Sequence, residues 1–186
     1  MFYICSRLLS YLICKKISSI NIQQNTLALW NPNEIIIIKM EIRIRKIEET
    51  DYAALILLFR EFALFEKLPD KITNSLEQMF EEKDHLTGFV AVNTQNEITG
   101  YVTYFFAYYT WTGKSMYMDD LYVRPEFRAK NIGTQLINHV IAFAKTENCR
   151  KLRWQVSEWN QLAIDFYKRL GAKIDSVESN CDLTFL

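Results

Sequence analysis

The sequence lacks most of the signatures that would place a protein at a glance. Its four cysteines, Cys5, Cys14, Cys149 and Cys181, form neither a CxxC pair nor a regular framework, which excludes a disulfide scaffold and fits reduced thiols in a cytoplasmic protein. Its two histidines, His85 and His139, belong to no His/Cys/Asp cluster with zinc spacing, so no metal is expected. His139 falls in a helical pattern four positions before Phe143 and reads as a structural histidine. The 22 basic and 22 acidic residues cancel, so the charge excess of a nucleic-acid binder is missing. The apolar stretch from Phe2 to Cys14 is interrupted by Arg7. It is too short to span a bilayer and lacks the charged leading region and cleavage site of a signal peptide, which leaves an interfacial anchor as the alternative.

What is present suits one globular domain. The 186 residues are 49% hydrophobic, 14% aromatic and 24% charged, enough to bury a sizeable core. The charge is uneven. Residues 1–39 hold Arg7, Lys15, Lys16 and Lys39 against Glu34, which leaves 18 basic and 21 acidic residues for the remainder, a mild bias toward cationic small molecules. The first 39 residues contain no glycine and show no sustained helical or strand period. Met40 stands directly before EIRIRKI, whose alternation of Ile42, Ile44 and Ile47 with charged residues predicts a first strand. The domain is therefore expected to span 40–186, with 1–39 an unneeded extension or a mis-assigned start.

Downstream, Asp51–Lys67 carries Leu55, Leu58, Phe59, Phe62 and Phe65 at helical spacing, with Thr50 as candidate cap and Pro69 as stop. Thr73 can cap a second helix through Leu76, Met79 and Phe80. Phe89–Val92 and Ile98–Tyr109 predict a hairpin across NTQNE. Ser115–Val123, with Met116, Met118, Leu121 and Val123, predicts a buried central strand. Leu136, Ile137, Val140, Ile141 and Ala144 mark a helical stripe from Gly133 to Cys149. A strand over Leu152–Val156 follows, then a helix from Asn160 to Gly171 and one or two terminal strands. The order is that of a mixed α/β layer architecture.

Between Val123 and the helix lies RPEFRAKNIG, where a strand, a short loop and a helix N-terminus meet. Such a terminus offers unpaired N–H groups and partial positive charge, and so receives phosphate. Arg128, Ala129, Lys130, Asn131, Ile132 and Gly133 resemble the pyrophosphate signature of the GNAT superfamily of N-acetyltransferases, with Asn131 where a first glycine is usual. Asparagine tolerates the left-handed backbone that glycine otherwise supplies. WTGKSMYMDDLYV and SEWNQLAIDFYKRLGA are similar to stretches of the diamine (spermidine/spermine) and thialysine acetyltransferases.

The resemblance implies a central, twisted, mostly antiparallel sheet, splayed where acetyl-CoA enters, with helices on both faces. It implies a homodimer and direct transfer of acetyl to the primary amine of a small cationic metabolite, a polyamine or a lysine analogue, without nucleic acid or membrane. Protein or peptide acetylation, and a non-catalytic acyl-CoA-binding module, are the alternatives. The implied cofactor contacts are Leu121, Tyr122 and Val123 along the pantetheine, Arg128 to Thr134 at the pyrophosphate, and Asn160 and Tyr167 beside them. Asp119 would handle the amine, and Tyr167 would protonate the departing sulfur. Phe65, Glu66 and Trp111 would form the acceptor wall, Phe65 replacing a frequent tyrosine. Each has a plainer reading. Asp119 and Asp120 could be a solvated strand end, Tyr167 a core aromatic, Asn160 only a helix cap, and Glu66 an exposed helix face.

Overall fold

The computed structural model describes residues 26–31, 34–39 and 41–175. β1 (Thr26–Asn31) and β2 (Glu34–Lys39) pair antiparallel as a sheet of their own. The sequence alone assigns no element here, because the segment shows no sustained helical or strand period. EIIIIK is a β-branched run with strong strand propensity and no alternation, so a search for a two-residue period passes over it.

The main body runs β3 (Arg43–Lys46), α1 (Tyr52–Phe65), α2 (Leu76–Glu81), β4 (Gly88–Val92), β5 (Ile98–Tyr109), β6 (Gly113–Val123), α3 (Ile132–Thr146), β7 (Leu152–Arg153) and α4 (Gln161–Arg169). Its five strands lie in the order β3-β4-β5-β6-β7 and are antiparallel except for the parallel β6–β7 pair. Alternation in β4 sends Phe89 and Ala91 to one face and Val90 and Val92 to the other. The first face packs on Leu136, Ile137 and Val140 of α3 and on Tyr167 of α4. The second packs on Leu55 and Leu58 of α1 and Met79 of α2. Helices thus cover both faces, as the mixed α/β reading anticipates. His139 is a surface residue whose ring meets Phe89 edge-on at 4.4 Å.

Element ends differ from the expectation in three places. Thr50 sits inside a 3₁₀ turn, and Asp51 organises the helix entry instead. Its carboxylate accepts from Arg45 at 2.6 and 2.8 Å and from the Glu48 N–H at 2.9 Å. Burial acts to raise the Asp51 pKa, but these hydrogen bonds and the Arg45 charge outweigh it and hold it below the usual range. Ser75 rather than Thr73 caps α2. Its hydroxyl accepts from the Gln78 N–H while its own N–H donates to the Gln78 side chain, a reciprocal box that a lone threonine cannot match. The strand expected over Leu152–Val156 pairs only at Leu152 and Arg153. The terminal strands expected after Gly171 fall mostly in 176–186, outside the described residues.

One irregularity positions the site. Val102 pairs with Leu121 and Tyr104 with Met118, so Thr103 faces two residues, Asp119 and Asp120, across a β-bulge. The extra residue resets the side-chain parity of β6. Met116 and Met118 enter the α3-side core before the bulge, and Leu121 and Val123 pack against that core after it.

Close sheet packing near this bulge gives a stability prediction. A Cβ on Gly100 would stand 2.7 Å from the Tyr122 carbonyl oxygen and 3.2 Å from Val123 Cγ2. Gly100→Ala is expected to destabilise the domain by about 1 to 3 kcal/mol in urea unfolding. An unchanged midpoint would show that β5 and β6 separate at no cost.

Candidate active site

β7 pairs with β6 only at Met116 and Tyr117. Among the described residues, the rest of the β6 edge, from Met118 to Val123, has no strand beside it. The gap is a cleft of about 740 Å³ closed by the start of α3, by α4 and by the end of α1. It brings together Phe65, Glu66, Asp119, Leu121, Tyr122, Val123, Arg128, Ala129, Asn131, Ile132, Gly133, Thr134, Asn160 and Tyr167. Two of the expected residues lie elsewhere. Lys130 turns its ammonium to the Glu126 carbonyl at 2.9 Å and over the Phe127 ring. Trp111 is 99% exposed in the turn between β5 and β6 and lines no cavity described here.

The loop into α3 has the form of a phosphate cradle. Asn131 is the N-cap in a left-handed conformation, φ 62° and ψ 11°, so the chain makes the glycine-type turn without glycine. Ala129 is also left-handed, at φ 58°. Alanine there carries strain of about 1 to 2 kcal/mol. Gly133 serves a different purpose, because an added Cβ would meet only Val123 Cγ2, at 3.8 Å. The fold does not require a bare backbone there, whereas a phosphate approaching the first N–H groups of α3 does. Arg128 is held beside this terminus. Its Nε donates to the Val123 carbonyl at 2.9 Å, and its guanidinium lies 4.6 Å from the Phe65 ring centroid and 5.6 Å from that of Tyr122. The backbone donors, the bare Gly133 and the positioned cation together fit a pyrophosphate.

A second cavity, of about 410 Å³, adjoins the cleft and shares Phe62, Glu66 and Asp119 with it. Asp120 lines this second cavity, and the Tyr101 hydroxyl donates to its carboxylate at 3.2 Å. Burial first, and then the neighbouring charges of Asp119 and Glu66, push the Asp120 carboxyl up to about 7 against the opposing hydrogen bond from Tyr101. Asp119 is open to solvent on the cleft side, and desolvation by the surrounding protein raises its pKa. Among the described residues neither aspartate has an ion-pair partner. Glu66 accepts from the Ser157 hydroxyl at 2.5 Å, which ties the end of α1 to the loop before α4.

Tyr167 is buried among Trp154 and Phe166, with ring centroids at 5.0 and 5.3 Å, yet it also lines the cleft. Burial, then the Glu66 and Asp120 charges, push its phenol up to about 12, so it stays protonated and able to donate. Asn160 caps α4 by accepting from the Ala163 N–H at 3.2 Å and lines the cleft as well. Its two readings are compatible. Asp120 and Ser157 were missed as site residues. The interval from Met118 to Leu121, three where alternation needs two, was the available signal for the bulge that separates Asp120 from Asp119. Ser157 carried no signal, because its partner lies 91 residues away.

The family model described as Acetyltransferase (GNAT) family matches residues 50–172. The chain is 36% identical to a thialysine N-epsilon-acetyltransferase of Bos taurus over 143 residues, which is 71% of this chain and 84% of that one. It is 36% identical to the Mus musculus protein of the same name over 154 residues, 77% and 90% of the two chains. The solved structure of an aminoglycoside acetyltransferase from an uncultured soil metagenomic sample superposes with a TM-score of 0.65 at 22% identity, over 77% of this chain and 97% of that one.

The open side of Gly133 sets the test of the cradle. Gly133→Val is expected to weaken coenzyme A binding by tenfold or more in calorimetry, on the order of 1.4 kcal/mol, while the unfolding midpoint holds. Equal affinity in the two proteins would place the pyrophosphate elsewhere.

Proposed function

Because the chain belongs to the GNAT family of acetyltransferases and is an acetyl-CoA-dependent N-acetyltransferase, we propose that its acceptor is the primary amine of a small cationic metabolite, a polyamine or a lysine analogue, attacked directly. The observation that carries this reading is the cluster of Glu66, Asp119 and Asp120 where the cleft meets the second cavity. Carboxylates brought together without an ion-pair partner repel one another, as the upward push of Asp119 and Glu66 on Asp120 shows, and an ammonium group offsets that repulsion. The names of the thialysine relatives and of a human spermidine/spermine acetyltransferase-like protein, 29% identical over 140 residues, support an acceptor of this kind. The second cavity, of about 410 Å³, has room for a small amine.

The residues divide the work as follows. Acetyl-CoA, when bound, supplies the thioester carbonyl. The unpaired β6 edge at Leu121, Tyr122 and Val123 would hold the pantetheine amides as a neighbouring strand would, and the α3 terminus with Arg128 and Thr134 would hold the pyrophosphate. An acceptor amine of pKa about 10.4 arrives charged. Asp119 would bind it, and Asp120, poised about 7, would take its proton directly or through water. Tyr167 would give its phenolic proton to the leaving sulfur. The sequence expectation placed the amine chemistry on Asp119 alone; the bulge supports a pair. Phe65 acts under Arg128 and Glu66 beside the acceptor. The same reading takes the enzyme to be a cytoplasmic homodimer acting through residues 40–186.

Two measurements test these roles. With Asp120 active as the carboxylate, kcat/KM is expected to rise with pH through about 7. Asp120→Asn should abolish that limb and lower the rate about a hundredfold; a limb that survives the substitution would assign it to another group. Tyr167→Phe should lower kcat about a hundredfold with coenzyme A affinity unchanged, and a rate equal to wild type at every pH would remove Tyr167 from proton transfer.

A further inference from the structure

Asp120 is held at two points by one neighbouring strand. Tyr101 and Thr103 both belong to β5, and alternation turns both toward the α1 side of the sheet. The Asp120 N–H donates to the Thr103 hydroxyl at 3.2 Å, and the Tyr101 hydroxyl donates to Asp120 Oδ2 at 3.2 Å. The first bond fixes the main chain at the bulge and the second fixes the side chain. Tyr101 has little freedom of its own. It is fully buried, and its ring meets Phe59 of α1 edge-on at 5.0 Å and Tyr122 of β6 at 6.0 Å. A buried hydroxyl is costly without a partner, and Asp120 is the partner this one has. Burial first, and then the Asp120 charge, hold the Tyr101 phenol well above its ordinary value, so it remains a donor.

We propose that Tyr101 is a positioning residue for acetyl transfer: locked in the core by its ring, it holds the Asp120 carboxylate by one oxygen in the lining of the second cavity and leaves the other oxygen to take the acceptor's proton. This inference rests on the proposed role of Asp120 as the base. The hydroxyl acts in two ways. It restricts the carboxylate to one orientation, so that the proton-accepting oxygen is in place before the amine arrives. It also favours the charged form of Asp120 against burial and against like charge. The titratable groups around Asp120 are Asp119 and Tyr117 on its own strand, Glu66 at the end of α1, Tyr101 on β5 and Tyr167 on α4, with Lys71 and His85 in the lining of the same cavity. Asp119 and Glu66 oppose the ionisation of Asp120, and the Tyr101 hydrogen bond supports it.

The test removes the hydroxyl and keeps the ring. The full-length protein and its Tyr101→Phe, Asp120→Asn and doubly substituted variants are assayed across pH by thiol release, with acetyl-CoA and either lysine or 1,5-diaminopentane as acceptor. A carboxylate that loses a hydrogen bond to its charged form becomes easier to protonate, so the rise of kcat/KM that wild type shows through about 7 should move up in Tyr101→Phe by about one pH unit, the scale of one hydrogen bond to a charged group. Above that rise kcat should fall about tenfold, while the coenzyme A affinity equals wild type. In the Asp120→Asn background the same substitution should cost nothing further, because the hydroxyl then has no base to hold. A limb that Asp120→Asn abolishes and Tyr101→Phe leaves in place would overturn the role of Tyr101 and leave the base assignment intact, as would an equal loss from Tyr101→Phe in both backgrounds. A limb that survives Asp120→Asn, or no acetylation of either amine with coenzyme A still bound, would overturn the base assignment and this inference with it.

Discussion

One extra residue in β6 governs the geometry of the site. The bulge opposite Thr103 lets Met116, Met118, Leu121 and Val123 all contribute to the α3-side core, although their spacing breaks the two-residue period of a strand. A regular β6 in register with Met118 would aim Asp120 at that apolar core, where an unpaired carboxylate costs several kcal/mol. With the bulge, the Asp120 carboxylate accepts from the Tyr101 hydroxyl, and the Asp120 N–H donates to the Thr103 hydroxyl. The hydrophobic pattern and the acidic pair are reconciled by one local irregularity, and the site inherits its arrangement from it.

Around that bulge the charges are sorted by fold. The α3 terminus and Arg128 make one part of the cleft positive, and Glu66, Asp119 and Asp120 make the junction with the second cavity negative. The end of α1 joins the two. Phe65 lies under the Arg128 guanidinium while the next residue, Glu66, bonds to Ser157 across the cleft. The short β7 completes the arrangement, since a longer parallel partner would occupy the β6 edge that faces the cleft.

Much of this was legible in the chain. α1 and α3 follow from apolar residues at three and four positions, which any sequence-distant partner would only reinforce. β4, β5 and β6 follow from β-branched and aromatic runs bounded by NTQNE and Gly113. Helix caps were less legible, because Thr50, Thr73 and Ser75 offer similar hydroxyls. The choice among them is made by a reciprocal partner such as Gln78 or by Arg45 reaching Asp51. The β1–β2 ladder escaped because it rests on a run without alternation. Trp111 was drawn into the acceptor wall by resemblance, yet the turn that carries it points to solvent.

The sequence by itself determined the element order, the left-handed turn that Asn131 can make and the choice of acid, phenol and cation. These depend on local backbone preference and on side-chain chemistry, which neighbours along the chain express. Only the tertiary structure decided which aspartate titrates near neutrality and which cavity Asp119 shares with Glu66. Those properties are set by desolvation and by charges from segments far apart in the chain, and they come into being only when the sheet and its two helical layers close around one another.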